Sequence, residues 1–301
     1  VIASLLAALA LQATPAPVPR SLVHDGQRRT WREVVPAACA GRRAHCPVLI
    51  ALHGGGGRTS GAQFAAGTGL AGEGVTRGYV VLAPDALGDN WNDGRPEIAA
   101  GIDDVGFIRA MIADAGSRLG LDRRRIFAVG ASNGGLMSYR LACEGGDLVR
   151  AIAPVIANMG EALIAQCRPT AAVSVLMMPG TADPLIRYQG GAVAAGWRDR
   201  GRTVSADRTL EFWRSAMACP GPPRTERFDP VRDETSVAIT RYDRCRDGAS
   251  VRRWTVEGGG HTWPGRGGAR ALRARLVGPT ATEFSATQAV LDFFDSVGAA
   301  R

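Results

Sequence analysis

Lysine is absent from this chain: all 36 of its basic residues are arginine. That absence excludes a phosphate-binding loop, which would place Gly-Lys-Ser/Thr behind its glycines. Histidine is scarce, with four in 301 residues, at 24, 45, 53 and 261. No pair of cysteines has the Cys-x-x-Cys spacing of a zinc site, and no metal or other cofactor is expected. No apolar run is long enough to span a bilayer, so no stable membrane anchor is expected. The formal charge of +8 would ordinarily raise nucleic-acid binding. The arginines, however, are scattered through an Ala- and Gly-rich chain of the kind GC-rich genomes encode, and no aromatic-interleaved basic stripe appears. No nucleic-acid partner is expected.

What is present suits one large α/β domain, since 301 residues with 46% hydrophobic content can bury a full core. Residues 1–20 read as a signal peptide and linker, and 21–301 as a single catalytic domain. The apolar stretch 1–13 is an h-region, Ala8-Leu9-Ala10 fits a small-residue cleavage site, and Thr-Pro-Ala-Pro-Val-Pro follows. Export to an extracellular or periplasmic space makes disulfides plausible. The six cysteines number an even set, and nearest-neighbour pairing joins Cys39 to Cys46, Cys143 to Cys167, and Cys219 to Cys245.

The chain is organised around residues 125–142. A short apolar β-type run there breaks at Gly130, and helical spacing resumes after Gly134. Gly130-Ala131-Ser132-Asn133-Gly134 matches the nucleophile elbow, a sharp strand-to-helix turn that presents a serine hydroxyl at the top of a parallel sheet. The helix that follows aims its free N–H groups and positive dipole end at the site, with the Asn133 N–H as the nearest oxyanion donor.

A fully apolar strand is expected at 47–52, further apolar strands at 79–83, 149–156 and 173–178, and a loosely alternating strand at 28–36. Apolar residues at 105, 108, 112, 115 and 119 keep the spacing of a helix packed on a sheet. Successive strand–helix–strand units predict a mostly parallel sheet with helices on both faces. The strand ending at Leu52 runs into His53 and four glycines, where converging N–H groups around Gly55 would form an oxyanion loop. Asp183 stands just past another strand end, the edge where such sheets gather functional groups. His261 is the sole histidine after Ser132, hence the available base in a serine-first order. Trp91 and Trp263 are candidate linings of a substrate cleft, with Trp91 equally suited to capping the core edge. Helices are expected over 205–218 and at the C-terminus, where Ser285 and Gln288 have capping-box spacing and 290, 293, 294 and 297 form the apolar face.

The elbow Gly-Ala-Ser-Asn-Gly-Gly, the segment Gly180-Thr-Ala-Asp-Pro184 and the loop Gly258-Gly-Gly-His-Thr-Trp-Pro-Gly265 occur in that order. Together they resemble the polyhydroxybutyrate depolymerase and feruloyl esterase family of secreted α/β hydrolases. Trp91-Asn-Asp-Gly-Arg95, Asp103-Asp-Val-Gly-Phe107 and Arg140-Leu-Ala-Cys143 extend the resemblance over nearly all of residues 28–297. One departure is Pro179, where family members often carry a histidine. The resemblance implies an α/β-hydrolase fold and a serine carboxylesterase acting through an acyl-enzyme, with Ser132 as nucleophile, His261 as base and Asp183 orienting it. An acyltransferase to a sugar or lipid alcohol, and a catalytically silent binding module, are the alternatives. The expected partner is a short-chain, feruloyl-type or hydroxyalkanoate ester. Only seven residues follow Phe294 in the 301-residue chain. No separate polymer-binding domain is therefore expected, and soluble esters are favoured over crystalline polyester.

Overall fold

The strands over residues 46–52, 80–84 and 151–155, at the centre of the molecule, are apolar at every position because both of their faces are covered. In β3 (Cys46–Leu52), Val48, Ile50 and Leu52 point into one hydrophobic cluster, while Leu49 and Ala51 point into a second on the opposite face. That is the two-residue period of a strand with helices above and below it. A computed structural model describes residues 14–57, 59–194, 199–231, 233–266 and 276–298. The expected h-region at 1–13, with Ala8-Leu9-Ala10, lies outside the described residues.

The chain opens with a hairpin, β1 (Val18–His24) and β2 (Gln27–Val34), and β3 follows. Two short helices, α1 (Gly61–Gly67) and α2 (Leu70–Thr76), lead into β4 (Val80–Pro84). Next come α3 (Asp104–Arg118), β5 (Leu121–Ala131), α4 (Asn133–Glu144), β6 (Ala151–Val155), α5 (Glu161–Gln166) and β7 (Ser174–Met177). A small ribbon of β8 (Gly191–Ala192) and β9 (Arg202–Thr203) precedes α6 (Ala206–Ala216). Strands β10 (Arg224–Phe228), β11 (Ser236–Tyr242) and β12 (Val251–Glu257) and a final helix (Ala286–Gly298) complete the order.

The main sheet has ten strands in the order β1-β2-β4-β3-β5-β6-β7-β12-β11-β10. Its interior, from β4 to β12, is parallel throughout, and an antiparallel extension flanks it on each side. Helices α3, α4 and α6 cover one face, and α1, α2 and the final helix cover the other. This is the α/β-hydrolase arrangement the sequence predicts. Helix α3 is capped by the Asp103 carboxylate, which accepts from the Gly106 N–H at 2.9 Å. It buries Val105, Ile108, Ile112 and Ala115 of the expected stripe, and Phe107 and Met111 besides.

Two features differ from expectation. Strand β1 begins at Val18, inside the stretch expected to be linker, and pairs with β2 from Val18↔Glu33 to His24↔Gln27. At the final helix the Gln288 N–H donates to Ser285 Oγ at 3.3 Å, which is the serine half of the expected capping box. The cysteines are joined as nearest neighbours, Cys39–Cys46, Cys143–Cys167 and Cys219–Cys245. Among the described residues no helix is long and apolar enough to cross a membrane.

Candidate active site

Ser132 sits between β5 and α4 with φ 55° and ψ −124°, a left-handed conformation rare for a residue with a side chain. The flanking glycines explain how the turn closes. A Cβ at Gly130 would fall on the Gly134 backbone, and one at Gly134 would fall on the Leu52 and His53 carbonyls. The first turn of α4 therefore packs directly against the ends of β5 and β3. The Ser132 N–H is anchored on the Val155 carbonyl, at 3.1 Å, at the end of β6.

Asp183 and His261 are brought together from the loops after β7 and β12. His261 Nδ1 lies 2.7 Å from Asp183 Oδ2, and the Asp183 side chain is 1% exposed. The other carboxylate oxygen accepts from the Leu185 and Ile186 N–H groups at 2.8 and 2.9 Å. With a carboxylate accepting at Nδ1, that nitrogen carries the proton and Nε2 is left with its lone pair. The His261 backbone is held by the Val277 carbonyl at 2.5 Å.

Gly55 and Asn133 lie side by side, since a Cβ at Gly55 would come 3.2 Å from the Asn133 Cβ. Among the described residues the Gly55 N–H donates to no backbone carbonyl. Asn133 is the first residue of α4, where an N–H has no partner within its helix. The next two N–H groups of the glycine loop, on Gly56 and Gly57, are taken by the Asp89 carbonyl at 2.8 and 3.2 Å. His53 anchors the start of the same loop. Its Nε2 accepts from the Ala86 N–H at 3.0 Å, which fixes Nδ1 as the donor to the Gly54 carbonyl at 2.7 Å. Burial pushes the His53 pKa below its ordinary value, outweighing the upward pull of the Gly54 bond and of Asp85 and Asp104.

A cavity of about 380 Å³ opens beside His261, with Phe64, Thr68, Ile156 and Trp263 in its wall and Arg266 at its rim. Trp263 stands edge-on to Phe64, ring centroids 5.6 Å apart, and donates from Nε1 to Thr287 Oγ1 at 3.1 Å. Ile156 joins this cavity to the elbow, because it follows the Val155 carbonyl that receives the Ser132 N–H. A larger cavity, of about 1040 Å³, lies at the opposite edge of the sheet among Arg123, Arg124, Arg125 and Arg150. None of Ser132, Asp183 and His261 lines it.

Of the two readings of Trp91, cleft lining and core-edge cap, its buried position agrees with the second. It lines no cleft: its side chain is 0% exposed, packs 5.1 Å from the His53 ring and donates from Nε1 to the His53 carbonyl at 3.0 Å. Among its polar neighbours, Asp93 and Asn133 are buried and hydrogen-bonded to one another. Asp93 and Arg95, which entered the sequence reading only within the Trp91–Arg95 stretch of the family resemblance and with no role of their own, are buried there as an ion pair with Arg95 Nη2 2.6 Å from Asp93 Oδ2. The signal available in the sequence was an acid and a base two residues apart next to a tryptophan.

No protein-family model matches the chain. It is 30% identical over 294 residues to "Putative esterase NocK" of Nocardia uniformis, covering 91% of this chain and 81% of that one. It is 28% identical over 232 residues to feruloyl esterase B of Piromyces equi, and the match spans 75% of this chain but 41% of that longer protein. Among solved structures, the acetyl xylan esterase from Aspergillus awamori superposes with a TM-score of 0.55 at 14% identity, over 79% of this chain and 92% of that one, a likeness of fold. The relationship to the Nocardia esterase, carried across most of both chains, places this protein in a family of esterases, which are carboxylic ester hydrolases, built on the α/β-hydrolase fold.

Proposed function

We propose that the protein is an exported serine carboxylesterase whose nucleophile is Ser132, whose general base is His261 and whose orienting acid is Asp183. The observation that carries this reading is the 2.7 Å contact between His261 Nδ1 and the buried Asp183 carboxylate, on the same sheet edge as the strained Ser132 elbow. Ser132 Oγ attacks the ester carbonyl carbon while His261 Nε2 takes its proton, and the carbonyl oxygen becomes an oxyanion facing the Gly55 and Asn133 N–H groups. Collapse of the tetrahedral intermediate breaks the bond to the alcohol, which leaves with the proton from His261. Water then repeats the sequence on the acyl-enzyme, releasing the acid and restoring Ser132.

The cavity beside His261 supports an aromatic or short acyl group, because Phe64 and Trp263 supply flat apolar walls and the volume suits a small phenolic acid. Feruloyl-type and short-chain acyl esters are therefore the substrates this reading favours. Three disulfides support an oxidising compartment.

A chromogenic acetyl ester and a feruloyl sugar ester, each incubated with the wild-type protein and the Ser132→Ala variant, test the reading. The wild type is expected to release acid and alcohol in equal amounts, and the variant neither. Hydrolysis by the Ser132→Ala variant at the wild-type rate would sink it, as would a wild type inert towards both esters.

A further inference from the structure

A buried ion pair stands behind the elbow, and the proposed chemistry does not use it. The Asp93 carboxylate is 0% exposed, and Arg95 is 4% exposed. Every donor around Asp93 has a direction. Oδ1 accepts from the Arg95 N–H at 3.1 Å and from Arg95 Nε at 3.0 Å, and Oδ2 accepts from Arg95 Nη2 at 2.6 Å. The remaining donor is the side chain of Asn133, whose Nδ2 lies 2.7 Å from Asp93 Oδ2.

Asn133 is thereby held at three points. Its Oδ1 accepts from the Trp91 N–H at 2.8 Å, and its Nδ2 also donates to the Trp91 carbonyl at 3.0 Å. The segment that supplies these partners is itself fixed. The Asn92 N–H donates to Asp104 Oδ2 at 2.7 Å, Arg140 Nη1 donates to the Asn92 carbonyl at 2.7 Å, and the Trp91 ring is tied to the His53 carbonyl. Residues 89–95 thus touch both sides of the oxyanion site. Asp89 aligns the glycine loop and Asp93 aligns Asn133. The far end of Arg95 reaches the Arg200 carbonyl at 2.5 Å, joining this brace to the segment that enters β9.

Stability alone gives a weak reason for such a pair. Burying two charges costs several kcal/mol per ion before their attraction is counted, and apolar residues of similar volume often do as well or better. Charge-assisted hydrogen bonds, by contrast, restrict direction, which matters where a backbone N–H must point at a developing oxyanion.

We propose that Asp93, paired with Arg95, is a positioning residue for ester hydrolysis: through the Asn133 side chain it aims the Asn133 N–H at the transition-state oxygen. This rests on the serine esterase reading above. Because the hydrogen bond to the oxyanion strengthens only as charge develops, loss of the brace lowers kcat and leaves KM nearly unchanged.

The test compares wild type with Asp93→Asn, which removes the charge, and with Asn133→Ala, which leaves the ion pair intact and cuts its link to the elbow. Rates are expressed per active site titrated by burst kinetics, so unfolded protein does not count. Both variants are expected to lose about 10- to 100-fold in kcat with KM within about threefold. Binding of a trifluoromethyl ketone, whose serine adduct carries the oxyanion, is expected to weaken by the same factor as kcat/KM. If the variants lose thermal stability or titratable sites while kcat per site and ketone affinity stay at wild-type values, the pair is only structural and the proposal is overturned. Asn133→Ala decides the matter should Asp93→Asn not fold. A wild type that neither hydrolyses esters nor binds the ketone would fail the esterase reading itself, a different result from active variants with unchanged turnover.

Discussion

His261 and Asp183 meet at 2.7 Å across loops that leave neighbouring strands, β12 and β7, and the second carboxylate oxygen of Asp183 is already engaged by the Leu185 and Ile186 N–H groups. The carboxylate is thus fixed before any substrate arrives, and the imidazole takes its orientation from it.

From this arrangement the three residues should fail unequally. Ser132→Ala and His261→Ala are each expected to reduce kcat by about 10⁶-fold, and Asp183→Asn by roughly 10⁴-fold, as in units of this kind where the acid is the least costly member to lose. Circular dichroism should show all three folded. An Asp183→Asn variant with wild-type kcat would detach the acid from the mechanism.

His53 sets a pH dependence of stability. Its pKa is depressed below the ordinary value of 6.5 because burial disfavours the imidazolium. A depressed folded-state value means that the unfolded chain binds the proton more readily, so stability is full above about 6.5, begins to fall as pH drops through that value, and reaches its lower level below the folded-state pKa. Protonation also removes the lone pair that Nε2 offers to the Ala86 N–H. Urea midpoints measured from pH 8 to pH 5 should fall for the wild type and fall less for His53→Gln. Equal slopes in the two proteins would show that other groups control the acid limb.

The disulfide between Cys143 and Cys167 ties the far end of the elbow helix to the end of α5, over a sequence separation of 24. Loop-closure entropy for that span amounts to about 3 kcal/mol. Replacing both cysteines with alanine should lower the unfolding free energy by about that amount, read from urea titration, and non-reducing peptide maps of the wild type should recover this pair together with Cys39–Cys46 and Cys219–Cys245. Alkylated, unpaired Cys143 would contradict it.

The Phe64–Trp263 wall should govern acyl preference. Phe64→Ala removes one flat face of the cavity, and the lost contact is worth about 1 kcal/mol or more in an aromatic pair. KM for a feruloyl ester is expected to rise about fivefold to tenfold while that for an acetyl ester stays near wild type. A uniform change for both would place the acyl group elsewhere.

Much of this architecture was legible because the information is local. Continuous apolar runs such as 47–52 read as buried strands, the stripe on α3 read as a sheet-packing helix, and the glycines at 130 and 134 announced a turn that only missing side chains permit. What escaped depends on distant partners. Strand β1 has a mixed sequence, Val-Pro-Arg-Ser-Leu-Val-His, and it becomes a strand only because β2 lies beside it. Trp91 stood open between cleft lining and core-edge cap because the sequence does not show that Asp93, Arg95 and Asn133 satisfy one another in the interior. Hydropathy counts polar atoms as solvent-seeking and has no means of knowing that they will be paired.

The connectivity of the three disulfides has a further consequence for how the chain matures. Their sequence separations are 7, 24 and 26, and each bridge joins cysteines with no other cysteine between them. A polypeptide that is threaded through a pore from its N-terminus presents both thiols of one bridge before the first thiol of the next. An oxidase acting on whatever has just emerged would then form the native set by order of arrival, with no mispaired bridge to undo.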